Sequence, residues 1–455
     1  MKNAFKNQYF LYISFILIIF LKGCSYFQEI IKPEIHPGFN KLLDSVVRID
    51  VWEASFSSGA RTIHRAVGSG VIMTKDGYVL TNAHVVSPYE ERIIITLNNL
   101  EQVPAKFIGW DHWTDIAVLK IDLEVIKQKK INFNYASFAN SNKLKPGTVV
   151  YAVGTPHGLS RTVTRGIISN NNRYLQAGNN ALGYEHGCFS NWLQTDASIN
   201  PGNSGGPLVI SNGFVIGLNS MAYIDAENLG FAIPSNFVND VMTALIKDKK
   251  IKRSYIGITA GPLQELEDFY SLHFNTGMLV QSIDPGSPAS TQNLRPGDII
   301  LEIDGKSIDG RFPEQLPTIY NIIASYPVGV KIPFKVKRGE NIKIIQIKTE
   351  ALESRIGEEY AFKSWGLGVQ KVTRSIAREK KLDSNNGVIV TGTQLGFPAG
   401  KSNLYHGDII VKINNQIITS IDIIKDCYFS YKNNPEQILF EVLRGHQIYY
   451  VVMKP

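Results

Sequence analysis

Ser204 stands in the stretch TDASINPGNSGGPLVIS, residues 195 to 211, with glycines at 202, 205 and 206. Glycine weakens a strand and costs backbone entropy. A cluster of glycines at the mouth of an apolar segment therefore marks a place where another group must approach the backbone closely. A serine hydroxyl is a weak nucleophile at neutral pH. It becomes effective when a base takes its proton and a third group orients that base. Attack on a carbonyl also creates an oxyanion, which needs N–H groups aimed at it. The turn over Gly202, Asn203 and Ser204 is the candidate oxyanion hole, with the N–H groups of Gly202 and Ser204 as its donors.

The base and the acid have candidates too. Of nine histidines, His84 lies in a small-residue turn directly after a strand pattern, in VLTNAHVV. Asp115, in WDHWTDIAVLKI, precedes an apolar strand, where a buried carboxylate can hold one imidazole tautomer. Asp111 in the same stretch is its rival. Taken singly, a histidine is more often a satisfied core residue, an aspartate a turn or cap, and a glycine-rich string an ordinary turn. Three such residues together, each at a strand-end turn, point to acyl transfer by Ser204 with His84 as general base and Asp115 as its orienter. Neither metal nor cofactor is needed for this chemistry.

Residues so placed need rigid elements behind them. SVVRIDVW, GSGVIMTKDGYVLTNAHVV, RIIITLNN, VPAKFIGWD and DIAVLKID read as short strands, with Asp76–Gly77 as a hairpin turn. After a polar stretch near 127–146 a second set follows: GTVVYAVGTP, RTVTRGIIS, NWLQTD, GPLVIS and FVIGLNSM. Many short strands with turn residues between them argue for barrels or sandwiches rather than an α/β fold. PSNFVNDVMTALIKDKK, with Ser or Asn to cap it, is the one helix expected in this half.

The last 200 or so residues contain an internal repeat. The stretches beginning GMLVQSIDPGSPAS at Gly277 and GVIVTGTQLGFPAG at Gly387 align without a gap, 110 positions apart. Gly286 matches Gly396, Pro288 matches Pro398, and the Gly297–Asp298 pair matches Gly407–Asp408. The second copy has Asn414–Asn415 where the first has Asp304–Gly305. Asparagine also tolerates a left-handed backbone, so the turn is expected to survive.

At 455 residues the chain has room for about three domains. A hydrophobic fraction of 44% against 19% charged is globular rather than disordered. The net charge is +7, but there is no run of five basic residues and no basic–aromatic interleaving, so nucleic acid is not an expected partner. Three cysteines are too few for a disulfide scaffold. Cys188 and Cys427 lie far apart and read as isolated thiols. FLYISFILIIFL, residues 10 to 21, is too short for a comfortable span and reads as the apolar core of a signal peptide. LKGC then places Cys24 where a lipoprotein carries its acyl chains, although Lys22 fits such a site poorly. An ordinary signal peptide or an uncleaved anchor is the alternative.

GSGVIMTKDGYVLTNAHVV, TDIAVLKI, AVGTPHGLSRTVTRGIIS, WLQTDASINPGNSGGPLV and LGFAIPS together resemble the HtrA/Deg family of envelope serine proteases. The resemblance runs from about residue 42 to the C-terminus. It implies a mainly β chain: a chymotrypsin-like double β-barrel, residues 42–250, and two PDZ domains, 251–352 and 353–455. Residues 1–24 would be the signal peptide and 25–41 a tether. It implies the triad His84, Asp115 and Ser204, in the order of the two-barrel proteases. It further implies ATP-independent cleavage of unfolded or misfolded polypeptides, chaperone activity, a homo-trimer or larger assembly, and an envelope location in the periplasm or outer membrane, lipid-anchored if Cys24 is acylated. A holdase with minor proteolysis, or a selective sensor protease switched by a C-terminal peptide, are the competing functions.

The resemblance also carries finer expectations. SYIGITA resembles the carboxylate-binding loop of a first PDZ domain. Tyr255, Ile256, Gly257 and Ile258 would then receive a C-terminal peptide, with successive N–H groups forming a nest for its carboxylate. WGLGVQK, at Trp365 in the second copy, is a poorer match. Arg173 lies where family members carry an arginine that senses the occupied PDZ domain; a solvated loop arginine is the plainer reading. Trypsin-like enzymes that select Lys or Arg carry an acid six residues before the nucleophile. Here that residue is Ser198, so a small or medium apolar side chain is the expected preference, with residues 220–230 as the pocket wall. The segment EASFSSGARTIHRA is short where relatives with a long loop block their resting site.

Overall fold

The computed structural model describes residues 36–454, apart from 156–160, 176–177, 180–184, 187, 223–226, 273–274 and 434–436. The expected signal peptide and Cys24 lie outside the described residues. The chain enters through helix α1 (Pro37–Ser45), which takes up the last part of the expected tether. His36 caps it by accepting the Gly38 N–H at 3.1 Å. Phe39 and Leu42 are buried, and Phe39 meets Tyr151 edge-on at 5.1 Å.

Two closed barrels follow. The first contains β1 (Val46–Ser55), β2 (Thr62–Ile72), β3 (Tyr78–Thr81), β4 (Glu90–Thr96), β5 (Gln102–Asp111) and β6 (Ile116–Ile121), in the order β1-β2-β3-β6-β5-β4. Val47, Ile49 and Val51 alternate along β1 and so share one face, which joins Val79, Ile95 and Leu119 in the buried interior. Asp76–Gly77 makes the expected turn. Gly77 sits at φ +75°, and β2 and β3 pair Val71 with Leu80 beyond it.

The second barrel contains β7 (Val149–Gly154), β8 (Thr162–Arg173), β9 (Trp192–Thr195), β10 (Pro207–Ile210), β11 (Val215–Ala222) and β12 (Gly230–Pro234), in the order β9-β12-β11-β10-β7-β8. Val71, Leu80 and Val118 of the first barrel pack with Val153, Val209 and Leu218 of the second in one continuous core. Helix α2 (Ser235–Asp248) seals this core with Val238, Val241, Met242 and Leu245, all on one helical stripe. Its start differs from expectation. Pro234 is the N-cap, with no side-chain capping bond. Ser235 is already helical and donates to the Ala139 carbonyl at 2.6 Å, while Asn236 donates to Asn140 at 2.8 Å. These two residues fasten the helix to the preceding loop instead of capping it.

The two repeats form two sheets of related design. In the first, β13 (Ile258–Gly261), β14 (Met278–Ile283), β15 (Ile299–Ile303), β16 (Lys331–Arg338) and β17 (Asn341–Lys348) lie in that order, with helix α3 (Leu316–Ser325). In the second, β18 (Glu359–Phe362), β19 (Leu367–Lys371), β20 (Val388–Thr393), β21 (Ile409–Ile413), β22 (Ile438–Arg444) and β23 (Gln447–Met453) lie in that order, with helix α4 (Ile421–Asn433). The repeated Gly–Asp pair has a physical reason. Asp298 and Asp408 are each 1% exposed, and each takes an arginine from the following hairpin, Arg338 and Arg444. Asn414 holds φ +52° where Asp304 holds +53°, so the altered turn keeps its shape. One difference matters for binding. β13 is a sheet edge, whereas β18 pairs antiparallel along the matching strand β19.

The barrels and the first repeat meet around a buried ion pair. Arg253 forms two 2.7 Å bonds to Asp111, and both side chains are under 10% exposed. Asn191 donates to the Glu314 carbonyl at 2.6 Å, and Asn321 of α3 donates to the Phe189 carbonyl. His112 pairs with the Ser354 hydroxyl at 3.0 Å beside them. Burial pushes the His112 imidazole down to about 4; Arg253 and Arg355 add to this and Asp111 opposes it. A histidine depressed this far stabilises the fold fully above its unfolded pKa of about 6.5 and loses that contribution as pH falls towards 4, by about 3 kcal/mol at most. Limited proteolysis of the 249–253 connection should therefore accelerate between pH 6.5 and 4. Replacing His112 with Gln should flatten that dependence.

Candidate active site

β2 and β3 turn into the segment carrying His84, and β5 turns into the segment carrying Asp115. Both turns lie at the same end of the first barrel, facing the second. Asp115 adopts φ +57°, a left-handed backbone that aspartate tolerates better than most residues. Three groups hold it there. Asn82 donates to its carbonyl at 2.9 Å, the His84 N–H donates to its carboxylate at 3.1 Å, and the Ser220 hydroxyl donates at 2.5 Å. His84 Nδ1 lies 2.9 Å from both carboxylate oxygens. The Asp115 side chain is 2% exposed and that of His84 is 26% exposed.

Electrostatics follow from this packing. Burial raises the pKa of the Asp115 carboxyl, but the His84 charge and the bonds from His84 and Ser220 outweigh it and hold it below the usual carboxylate range. Burial likewise works against a charged His84, and the Asp115 carboxylate wins, so the imidazole pKa lies above its ordinary value. With Nδ1 committed to the carboxylate, Nε2 is left as the proton acceptor.

Ser204 belongs to the second barrel, in the turn before β10. Its hydroxyl donates to the Ser220 carbonyl at 3.1 Å. Ser220 on β11 therefore touches both ends of the site, the acid through its side chain and the nucleophile through its backbone. Gly202 and Gly205 stand at φ +102° and +82°. A Cβ on Gly205 would collide with the Ser69 carbonyl and the Thr81 hydroxyl, so only glycine lets the turn approach the first barrel this closely. Among the described residues no acceptor takes the N–H of Gly202 or Ser204. The Asn203 N–H donates to the Asn200 carbonyl at 2.9 Å, which closes the turn and leaves Gly202 and Ser204 as the candidate donors.

The other candidates separate clearly. Asp111, the rival acid, is tied to Arg253 and to the Thr114 hydroxyl and stands apart from His84. Ser198 is exposed, and its carbonyl accepts from Thr164 at 2.9 Å. Residues 223–226 of the expected pocket wall lie outside the described residues. Arg173 donates to Gln194 at 2.9 Å, beside β9. In the first repeat Gly257 holds φ +83°, and a Cβ there would meet Ser287 and the Tyr255 hydroxyl. The Tyr255 hydroxyl itself bonds Asp284. The Ile256 carbonyl accepts the Ala289 N–H at 2.8 Å, so the loop is pinned while the N–H groups of Ile256 and Gly257 have no carbonyl partner among the described residues. In the second repeat the buried Trp365 takes the place of Ile256, its carbonyl accepting the Ala399 N–H at 2.9 Å. Ser220 and Ser69 were missed by sequence reasoning. A serine on a strand carries no signal of a partner more than a hundred residues away.

Two closed barrels with such a site between them, followed by a PDZ domain, define a trypsin-like serine endopeptidase. Residues 68–218 match the trypsin-like peptidase domain, and residues 245–316 match the PDZ domain. A probable periplasmic serine endoprotease, DegP-like, from Chlamydia trachomatis is 35% identical over 397 residues, which are 85% of this chain and 74% of that one. Its counterpart from a Marinomonas species is 35% identical over 369 residues, or 78% and 72% of the two chains. Among solved structures, the HtrA-type protease AlgW with tripeptide is similar at TM-score 0.57 and 30% identity, covering 70% of this chain and 97% of that one. The serine endoprotease from Yersinia pestis gives 0.51 and 33%, covering 69% and 98%. The chain belongs to the HtrA family of DegP-like serine endoproteases, and it is a periplasmic protease.

Removing the Ser220 hydroxyl tests the support of the acid. Ser220→Ala should lower kcat/KM roughly ten-fold, the scale of one hydrogen bond to a charge. On its acid side the wild-type kcat/KM profile should fall through an apparent pKa above 6.5, because His84 must be neutral to act as base. The variant should move that limb to higher pH, since a carboxylate without the Ser220 donor is more basic and holds the imidazolium more tightly.

Proposed function

We propose that peptide bonds are cleaved through an acyl-enzyme on Ser204. The observation that carries this is the chain of contacts His84–Asp115–Ser220–Ser204 across the two barrels. His84 Nε2 takes the Ser204 proton as Oγ bonds to the scissile carbonyl carbon. The N–H groups of Gly202 and Ser204 hold the oxyanion. As the tetrahedral adduct collapses, His84 hands its proton to the leaving amine. Water, activated by the same imidazole, then releases the acyl group and restores Ser204. Asp115 stays ionised throughout and keeps the ring oriented. Ser198, with no charge to offer, supports preference for a small or medium apolar residue before the cleaved bond, because an unpaired ion there would be desolvated at a cost.

The substrates proposed are unfolded or misfolded periplasmic polypeptides, with chaperone activity beside proteolysis and a homo-trimer or larger assembly as the working form. The domain limits are 42–250 for the protease, 251–352 for a first PDZ domain and 353–455 for a second, after a signal peptide, 1–24, and a tether, 25–41, with Cys24 as the lipid attachment. The first PDZ domain takes the C-terminal peptide at Tyr255–Ile258 and along the β13 edge, where the Ala260 N–H now donates to the Tyr320 hydroxyl at 2.8 Å. In the second PDZ domain β18 already covers the matching edge, which argues against a second peptide site. The contacts from Phe189 and Asn191 to the first PDZ domain support a sensing role for the loop that follows Arg173.

The test uses the mature chain, residues 25–455, on casein with and without a peptide ending in a free apolar carboxylate. Ser204→Ala should lose cleavage by about 10⁴-fold or more while still binding substrate. The peptide should stimulate the wild type and titrate to one site per chain. Retained cleavage in the variant would overturn the nucleophile, and two equivalent peptide sites would overturn the assignment to the first PDZ domain.

A further inference from the structure

Ser69 lies in β2 of the first barrel, yet two of its polar contacts reach the nucleophile turn of the second and two more reach Thr155 at the end of β7. It is fully buried. Its N–H donates to the Ser204 carbonyl at 3.0 Å. Its hydroxyl donates to the Gly202 carbonyl at 2.5 Å and accepts the Thr155 N–H at 2.8 Å. Its own carbonyl accepts from the Thr81 hydroxyl at 2.7 Å, which fixes the residue from behind.

A trans amide points its C=O and its N–H in opposite directions. Holding either end of a peptide unit therefore aims the other. The Gly202–Asn203 unit is held at both ends, its carbonyl by the Ser69 hydroxyl and its N–H by Asn200. In the Asn203–Ser204 unit the carbonyl accepts the Gly206 N–H at 2.9 Å, which turns the Ser204 N–H the opposite way. In the Ser204–Gly205 unit the carbonyl accepts from Ser69 and the N–H donates to Asn219 at 2.9 Å. Ser69 thus holds the units on both sides of the one that carries the Ser204 N–H. A rotation of the Gly202–Asn203 unit would have to break the Ser69 bond first.

We propose that Ser69 is a positioning residue for catalysis: from the first barrel it sets the peptide planes on both sides of the Ser204 N–H, so that this oxyanion donor is aimed before substrate arrives. This rests on Ser204 as nucleophile and goes beyond it by assigning the order of the oxyanion hole to a side chain outside the triad and outside the glycine turn. The Thr155 N–H to Ser69 hydroxyl to Gly202 carbonyl sequence also ties the turn to the end of β7, so elements of both barrels fix it.

Ser69→Ala takes away the hydroxyl and leaves the Gly202–Asn203 unit held only through the Asn203 N–H. The experiment compares the mature chain with this variant on a short chromogenic peptide. It then compares a matched pair of inhibitors, a peptide aldehyde and the corresponding alcohol. The aldehyde adds the serine oxygen and forms a hemiacetal oxyanion; the alcohol fills the same pocket and forms none. The expected result is a kcat lower by roughly 10- to 100-fold with KM nearly unchanged, the scale of a lost oxyanion donor. Aldehyde affinity should fall by a similar factor, with alcohol affinity unchanged. Ser69→Cys keeps the volume and a weak donor and should fall between the two, which covers the case in which the alanine variant does not fold. Equal loss of aldehyde and alcohol binding, or kcat unchanged in both variants, would overturn the proposal. Ser204→Ala is run beside them; cleavage retained there would sink the nucleophile reading and not the Ser69 geometry.

Discussion

The site depends on one buried carboxylate. Asp115 sits at the seam between the barrels on a left-handed backbone, and such a conformation persists only where its surroundings over-determine it. Asn82, His84 and Ser220 do so together. An isolated carboxylate in this place would neutralise itself by taking a proton. The His84 charge and the bonds from His84 and Ser220 keep it ionised, and its own charge keeps the imidazole both oriented and basic. The Ser220 hydroxyl comes from the other barrel, so docking of the barrels adds one of the bonds that keep the acid ionised.

The barrels supply complementary halves of the site. The first contributes His84 and Asp115 from turns at one end. The second contributes Ser204 from a glycine turn. Only glycine at 205 permits the approach that joins them, because any side chain would strike the first barrel's backbone. Serines at 69 and 220 then stitch the halves together. Ser220 bonds the Asp115 carboxylate, and Ser69 bonds the carbonyls on either side of Asn203.

The repeats use one packing device twice and put it to different ends. A buried aspartate anchored by an arginine holds the sheet in each. In the first the strand after Gly257 is left as an edge. In the second a preceding strand lies along that edge and a tryptophan fills the loop. The first repeat also touches the protease barrels through Asn191, Phe189 and the Arg253–Asp111 pair.

By itself the sequence determined the chemical types and much of the architecture. Ser204 among glycines, His84 and Asp115 after strand patterns, the two runs of short strands and the 110-residue repeat were all legible, because nucleophilic turns and hairpins carry local signatures. Tertiary structure decided between Asp115 and Asp111, since burial beside His84 and burial beside Arg253 look alike along a chain. It tied the Asn203 N–H back into the turn, because the direction of a peptide plane is set by the carbonyl it meets. It turned the expected caps of helix α2 into fastenings. It also brought in Ser69 and Ser220, whose partners lie 133 and 105 residues away. Local pattern fixes what a residue can do; only chain crossings fix what it meets.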